Sequence, residues 1–573
     1  MCCRRIALVS DARIRPIAIR PAPGIAAIGL DVLMDRIYAA RGVTTPEELD
    51  YALPGLLPVS SLSGVQDAVR LILKHEKGRI IIIGDFDADG ATSTALVIRC
   101  LRQFGITNVD YLVPNRFQFG YGLTPEIVNV AKERSPDLLI TVDNGISSAA
   151  GVAEAHRHGM QVLITDHHLP GDELPGADVI LNPNLVNNEF ESGNLAGVGV
   201  AFYLMAALGR ELELAGREGA AKVPARYLDL VALGTVADVV RLDRNNRILV
   251  EQGLKRIRVG TCVPGIKALF HQARRATARA ISSDLGFAAG PRLNAAGRLK
   301  DMSVGIECLL TDEEAVAARY AETLDGINRE RRNIEAKMQA EAFDYVDAMD
   351  ATRLPACICL YDEQWHQGIV GLIAARVRER FDRPVIAFAR DGEGQLKGSA
   401  RSVPGVHVRD LLEAVRTTEP DSMVRFGGHA MAAGLTLEPD RYDQFAALVS
   451  ECLDNLYPEV DFSGTIMTDG SLTSEALSLG FARQLREGGP WGAGFPEPVF
   501  AGEFNIVDQR VVGENHLKMR VKPATGGNPI DAIAFNQAGS SYRGTVQLAY
   551  RLEANEYRSV ESPQLVVEQI VNI

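Results

Sequence analysis

Arg79-Ile-Ile-Ile-Ile-Gly-Asp-Phe-Asp-Ala-Asp-Gly90 is the stretch on which the reading of this chain turns. Ile80–Ile83 is an unbroken β-branched run, the pattern of a strand covered on both faces, as parallel sheets require. Ala91–Phe104 then carries apolar residues at helical spacing and stops at Gly105. The alternation continues with a strand over Val109–Val113, a helix over Pro125–Arg134 and a strand over Leu138–Val142. A helix over Ser147–His158 and a strand over Gln161–Thr165 follow. This βαβ order predicts a parallel, Rossmann-like sheet, and such sheets place their sites beyond the carboxyl ends of the strands.

The first strand runs straight into three aspartates at alternating positions, Asp85, Asp87 and Asp89. Without a cation they repel one another strongly. A solvated acidic turn is the plain structural reading, with Asp89 capping the next helix, but one cap does not need three carboxylates. An EF-hand loop spaces acids similarly, yet Leu96 stands where its bidentate Glu belongs. The third strand ends at Thr141-Val-Asp-Asn-Gly145 and the fourth at Ile164-Thr-Asp-His-His168. Three strands of one sheet therefore deliver acids or imidazoles to the same edge. Asp166 is either a ligand or the acceptor that fixes an imidazole tautomer. Asp238 ends a further apolar segment, Leu230–Ala237. Seven ligands of mixed oxygen and nitrogen type exceed one ion's needs. Two Mn²⁺ or Mg²⁺ ions sharing a carboxylate fit better and suit in-line displacement at phosphorus. No Walker A pattern occurs, so hydrolysis is favoured over phosphoryl transfer from a nucleoside triphosphate.

The chain has 573 residues, enough for three or four domains of ordinary size, and its 46% hydrophobic content is that of a globular protein. With 60 basic and 73 acidic side chains the net charge is 60 − 73 = −13, which excludes a uniformly basic nucleic-acid coat but not a local basic groove. The eight cysteines form neither a disulfide framework nor a zinc-ribbon spacing. No run approaches the ~20 apolar residues of a membrane span, and the N-terminus lacks a signal-peptide core, so a soluble, cytoplasmic protein is expected.

Residues 195–350 read as mostly helical, and Thr311–Asp350, rich in Ala, Glu and Arg, predicts a long connecting helix. Strand and helix signals resume at Pro355–Tyr361, Gly368–Phe381 and Pro384–Ala389, which predicts a second α/β domain. Short alternating segments such as Phe504–Val512 and His516–Val521 predict a terminal β-barrel or sandwich. The expected division is 1–60, an N-terminal segment; 61–310, the metal-binding domain; 311–350, the connecting helix; 351–457, a clamp domain; and 458–573, the barrel.

Asp166-His-His168 with the Asp85/Asp87/Asp89 set resembles the DHH phosphoesterase superfamily. Within it, longer segments are similar to the RecJ single-strand-specific exonucleases: Gly84–Gly90, Pro114–Phe117 with Gly120-Tyr-Gly122, Val142–Gly145, Gly234–Asp238 and Gly290–Arg298. Trp365-His-Gln-Gly368, Gly398–Ser402, Gly427–Gly434 and Gly489-Pro-Trp-Gly492 with Pro496–Pro498 continue the match from about residue 30 onward. The resemblance implies a DHH domain, a DHHA1 domain and an oligonucleotide-binding (OB) barrel. It implies a 5′→3′ exonuclease on single-stranded DNA, dependent on Mn²⁺ or Mg²⁺, releasing 5′-mononucleotides in repair and recombination. Carried over, the metal ligands are Asp85, Asp87, Asp89, Asp143, His167, His168 and Asp238. A 5′-phosphate pocket is implied at Arg116, Arg298, Ser399 and Arg401, with Arg401 expected in a Gly/Ser-rich loop. His429 is expected to touch a substrate phosphate. Phe117, Phe119 and Tyr121 either stack on bases or pack under their loop. Arg510, Lys518, Arg520 and Lys522 sit near alternate positions, on either a strand-binding or a solvated face. Single-stranded DNA is the expected partner, with a single-strand-binding protein and a helicase as candidate partners and a monomer as the expected state. Two departures stand out: Arg241 where the family usually has Pro, and Ala400, where Gly is usual, expected to reshape the nearby pocket slightly. The alternatives are another DHH phosphoesterase, acting on pyrophosphate, short oligonucleotides or cyclic dinucleotides, and an inactive DHH-like scaffold.

Overall fold

The computed structural model describes residues 14–22, 29–114, 122–171, 173–349, 354–558 and 560–573. The chain enters through β1 (Ile17–Ile19), α1 (Val32–Ala39) and α2 (Val65–Lys74), which lead into the parallel sheet. Its elements are β2 (Ile80–Gly84), α3 (Ala88–Gln103), β3 (Val109–Leu112), α4 (Pro125–Lys132), β4 (Leu138–Val142), α5 (Ala149–Arg157), β5 (Gln161–Thr165) and β6 (Val179–Leu181). The strands run in the order β3-β2-β4-β5-β6, every pair parallel. The isoleucine run is buried on both faces, as its composition demands. Ile80 and Ile82 pack with α2 and α3 in the main core, and Ile81 and Ile83 pack with α4 and α5 in a separate cluster. Burial of each such side chain contributes roughly 1.5–3 kcal/mol. Register pairs Gly84 with Val142 and Val142 with Thr165, so Asp85, Asp143 and Asp166 leave three adjacent strands at one level. The three-residue edge strand β6 was not expected from the sequence.

A helical layer follows: α6 (Gly197–Leu214), α7 (Leu228–Ala237), α8 (Arg244–Arg258), α9 (Pro264–Gln272), the short turn α10 (Ser282–Asp284), α11 (Gly290–Leu299) and α12 (Ser303–Leu310). The apolar segment before Asp238 is thus the helix α7, with Asp238 as its C-cap. The connecting helix α13 spans Glu314–Asp347, 34 residues or about 50 Å at 1.5 Å per residue.

The second α/β unit contains β7 (Ile358–Tyr361), α14 (Val370–Phe381), β8 (Val385–Arg390), β9 (Leu396–Arg401), α15 (Val408–Thr418), β10 (Arg425–Gly428), β11 (Ala432–Leu437) and α16 (Tyr442–Leu456). Its sheet order is β10-β11-β9-β8-β7, parallel between β7 and β8 and antiparallel elsewhere. Gly398–Arg401, expected as a loop, is therefore the central strand β9. Ala400 is fully buried in the domain core, on the face opposite Ser399 and Arg401, so it does not line their pocket.

After β12 (Ile466–Thr468) and α17 (Leu479–Glu487) comes a closed barrel of β13 (Phe500–Val512), β14 (His516–Pro523), β15 (Ile530–Ala534), β16 (Thr545–Tyr557) and β17 (Val560–Asn572), ordered β13-β14-β15-β17-β16. Along β14, Leu517, Met519 and Val521 fill the barrel while Lys518, Arg520 and Lys522 alternate outward, and Arg510 pairs across from Lys518. Lys518 is partly neutralised by Asp531 at 2.8 Å.

The N-terminal segment does not stand apart. β1 pairs in parallel with β12, and Tyr38 of α1 stacks on Trp491 and Phe495. Arg41 donates to both carboxylate oxygens of Asp469 at 2.8 and 3.0 Å, both side chains fully buried. No single helix among the described residues is long and apolar enough to cross a membrane.

Breaking a buried pair strands a charge, which typically costs 3–5 kcal/mol. Arg41→Ala is expected to lower unfolding free energy by about that amount in denaturant melts, with Asp469→Ala behaving alike. A loss below about 1 kcal/mol would show that the pair does not hold the N-terminal segment to the barrel module.

Candidate metal centre and strand-end pocket

The metal-type side chains converge because they lie at the ends of rigid elements: just after β2, β4 and β5, at the start of α3 and at the end of α7. Asp87 is the N-cap of α3, accepting from Gly90 N at 3.0 Å, so the cap expected at Asp89 is made by Asp87. Asp89 lies in the first turn of α3, buried, and accepts from Gly197 N at 2.6 Å and Val198 N at 2.9 Å at the start of α6. Asp143 follows β4 with φ of 62°, a left-handed conformation rare outside glycine, and Val239 just after Asp238 has φ of 62° as well. Such strain is retained where surrounding contacts over-determine the backbone.

Three groups bring ligand atoms within 4.8 Å of one another: Asp143 with His167 and His168, Asp89 with His167 and Asp238, and Asp85 with Asp87 and Asp143. All seven residues carried over by resemblance are in them, and shared members link the groups into one centre. His167 Nε2 is buried without a hydrogen bond, 3.1 Å from Asp143 Oδ1 and 3.5 Å from Asp238 Oδ2. An orphaned imidazole nitrogen among carboxylates fits a hard or borderline divalent cation. The described cysteines lie buried in the structure and in none of these groups.

Asp166 is not in any of the three groups. Its Oδ1 accepts from His168 Nδ1 at 2.7 Å and from the backbone of His167 and His168 at 2.7 and 3.1 Å, and Oδ2 accepts from Ile146 N at 2.9 Å. That settles the tautomer question: Asp166 holds Nδ1–H and leaves Nε2 of His168 facing the centre. Burial opposes its ionisation, but the His168 hydrogen bond and charge bring its pKa down to about 2. Burial likewise opposes protonation of His168, yet Asp166, with Asp85 and Asp238, raises it to about 9. Burial and then the His168 charge hold His167 down at about 3, a neutral ring at physiological pH. Burial, followed by repulsion from Asp87, lifts Asp89 to about 7. Burial and mutual repulsion raise Asp143 and Asp238 well above the usual carboxylate range.

Several supports are invisible in a linear reading. Asn182 and Asn184, after β6, donate to the carbonyls of His168 and His167 at 2.9 and 2.6 Å. Asn144 ties β2 to β4 through Ile83 O and Val142 O. Asn294 of α11 accepts from Ala88 N at 2.7 Å. A Cβ on Gly197 would come within 2.5 Å of Asp143 Cβ, and one on Gly234 within 2.8 Å of Asp89 Oδ1, so both glycines allow helices to close on the ligands. The Asn182-Pro-Asn184 pair after a short apolar run was the one signal available in sequence.

Across the cleft, His429 occupies the β10–β11 turn, and its ring stacks on His168 with centroids 5.3 Å apart. Arg401 donates to Ser399 Oγ at 3.0 Å and Ala400 O at 2.8 Å, and among the described residues has no carboxylate at ion-pair distance. Burial, with Arg378 nearby, lowers it to about 10. A Cβ on Gly371 in the first turn of α14 would approach Arg401 Nη2 and Ser399 Oγ to 2.8 Å, so the start of that helix faces the pair. Arg298, at the end of α11, reaches Gly368 O at 3.4 Å just before α14. Arg116, Phe117, Phe119 and Tyr121 lie outside the described residues.

Residues 79–235 match the DHH family N-terminal domain, 354–455 the DHHA1 domain and 468–569 the RecJ OB domain. The single-stranded-DNA-specific exonuclease RecJ of Dickeya dadantii is 52% identical, over 98% of this chain and 99% of the relative. The chain belongs to the RecJ family. The Escherichia coli K12 RecJ exonuclease is 51% identical over 94% of this chain and 96% of its own. The crystal structure of Thermus thermophilus RecJ with Mn²⁺ superposes with a TM-score of 0.80 at 28% identity, over 98% of this chain and 79% of that one. Its Mg²⁺ complex gives 0.75 at 27% identity. The sequence-based expectation of DHH, DHHA1 and OB units thus holds, and the RecJ family accounts for the ordered motifs.

Metal binding must displace the proton on His168 Nε2 and the protons that burial and crowding favour on Asp89, Asp143 and Asp238. Mn²⁺ affinity should therefore fall as pH drops through about 7 and rise above it, by about tenfold per pH unit for each proton released. Calorimetric titration at pH 6, 7 and 8 checks this, and a pH-independent affinity contradicts it. Asp166→Asn should weaken Mn²⁺ binding about 10–100-fold by releasing His168 from its fixed orientation, read in the same titration.

Proposed function

We propose that this chain is a metal-dependent exonuclease specific for single-stranded DNA that works 5′→3′ and releases 5′-mononucleotides. The observation that carries it is the His168–His429 stack, which closes a carboxylate-rich centre against a pocket built around a largely buried arginine that has no carboxylate at ion-pair distance among the described residues. Asp85, Asp87, Asp89, Asp143, His167, His168 and Asp238 hold two Mn²⁺ or Mg²⁺ ions. Bound there, the ions supply Lewis acidity at water and at the scissile phosphate.

The chain's own residues do the rest. Asp166 fixes the His168 ring, and the start of α6 holds Asp89. Arg298, Ser399 and Arg401, with the first turn of α14, bind the terminal 5′ phosphate; a largely buried planar guanidinium with no carboxylate at ion-pair distance among the described residues can direct two N–H groups at the oxygens of one phosphate. His429, its pKa lowered by burial and by the His168 charge, is neutral and donates a hydrogen bond to a backbone phosphate next to the metals. Fixing the strand end one register from the metals yields one nucleotide per cut. The outward cations Arg510, Arg520 and Lys522 of the barrel hold nucleotides on the 3′ side of the bound end. The barrel and the family of full-length relatives favour long strands over the pyrophosphate, dinucleotide and inactive-scaffold readings. The proposed setting is DNA repair and recombination in the cytoplasm, as a monomer, with a single-strand-binding protein and a helicase presenting the strand.

The test is incubation with Mn²⁺ and single strands labelled at either end, with and without a 5′ phosphate. Mononucleotides should come first from the 5′ end. His168→Ala should abolish them, and Arg401→Ala should raise KM for 5′-phosphorylated strands roughly tenfold or more, as loss of a charged hydrogen bond predicts, while changing little for 5′-hydroxyl strands. Release from the 3′ end first would overturn the polarity, and retained activity in His168→Ala would overturn the site.

A further inference from the structure

Gly489-Pro-Trp-Gly-Ala-Gly-Phe495 belongs to the barrel module, yet its contacts run to the segment that carries Asp238. Leu242 N donates to Ala493 O at 2.7 Å. Gly494 has φ of +71°, and a Cβ there would come within 2.4 Å of Arg241 Cγ; one on Gly492 would meet Leu242 Cδ1 at 2.6 Å. Ser282 Oγ donates to Trp491 O at 2.6 Å. Arg247 lies over the Phe495 ring, 4.3 Å from its centroid, and donates to Leu242 O at 3.0 Å. Asn246 donates to Arg241 O at 2.9 Å. Residues 241–242 are thus pinned from both sides, three residues beyond Asp238.

Packing alone does not hold that segment. A cavity of about 500 Å³ lies between Val239 and Val240 on one side and Pro490 and Trp491 on the other. Val239 is exposed and in a left-handed conformation that a β-branched residue avoids. With open space beside it and strain within it, the turn after α7 keeps its shape through the hydrogen bonds and the Arg241–Gly494 contact.

We propose that the 489–495 turn is a positioning element for Asp238, so that the barrel module maintains the metal centre as well as holding the strand. Arg241 reaches over Gly494 and makes this contact through its side chain. The inference rests on Asp238 being a metal ligand, part of the function proposed above. A side chain at Gly494 should push Arg241 and Leu242 away and move Asp238 from the metals.

Gly494→Ala is expected to weaken Mn²⁺ affinity about tenfold or more, in the range seen for groups that orient metal ligands. It should also lower kcat on a 5′-phosphorylated dinucleotide, a substrate too short to reach the barrel, as much as on a long strand. Gly494→Ala combined with Arg241→Ala should recover part of both. Unchanged Mn²⁺ affinity and dinucleotide turnover, with only KM for long strands raised, would overturn the proposal. Wild-type protein provides a measurement independent of folding in the variants: Mn²⁺ should slow hydrogen exchange in both 238–243 and 489–495, since coupling is reciprocal. Protection confined to 238–243 would overturn it too. Failure of the wild-type protein to cleave single strands would instead sink the exonuclease reading and leave the Mn²⁺ and exchange results to decide the positioning role.

Discussion

Mutual repulsion among five carboxylates, gathered where the ends of β2 and β4 meet the start of α3 and the end of α7, is the constraint on which the rest of the molecule depends. Two unit charges about 4 Å apart repel by roughly 4 kcal/mol even with an effective dielectric near 20, and a domain's whole stability is only about 5–15 kcal/mol. The protein offsets part of this itself. The N-terminus of α3 faces Asp87, the N-terminus of α6 supplies two N–H groups to Asp89, and His168 is held as a cation by Asp166. Helix termini contribute only partial charge. The remainder is left as raised carboxylate pKa values, a charge deficit shaped for divalent ions.

That constraint explains the company the site keeps. Carboxylates can be crowded only where backbone cannot relax, so they sit immediately after fully buried strands and at helix ends. Glycines at 197 and 234 let α6 and α7 press against the ligands, and asparagines at 144, 182, 184 and 294 fix the loops by their carbonyls and amides. Polar contacts of this kind in a dry interior are worth more than at the surface, and cost more when broken.

The βαβ order and the acidic strand ends were legible because they depend on local periodicity and on residues adjacent in the chain. What failed was long-range. β6, three residues long, carries too little pattern to announce itself. Gly398–Arg401 reads as a loop because small residues suit turns, yet Gly398 is required where its strand passes Phe388, a Cβ there meeting that ring at 2.4 Å. Asp89 reads as a cap because it precedes the apolar helical run, but the helix starts one turn earlier, at Ala88, and Asp87 takes the role. β1, in the N-terminal segment, finds its partner some 450 residues away in β12, a pairing no local signal encodes. Asn182 and Asn184 look like ordinary turn residues until the fold brings them under His167 and His168.

The net charge of −13 leaves room for nucleic acid only at a local basic groove, and the structure gives that limit a geometry. Many of the described arginines are held in ion pairs: Arg551 with Glu497, Glu553 and Glu568, and Arg279, Arg483 and Arg486 all on Glu561. Cations held this way lock modules together and attract phosphate weakly. Arg401 differs in being largely buried without a carboxylate, and Arg520 and Lys522 differ in facing outward from one barrel strand. A protein of net negative charge repels a polyanion at long range and admits it where outward cations are free of carboxylate partners. Discrimination against the wrong approach is then as much a part of specificity as the pocket itself. The same acidity that forbids a broad nucleic-acid surface directs a single strand toward the one place where bound metal reverses the sign of the field.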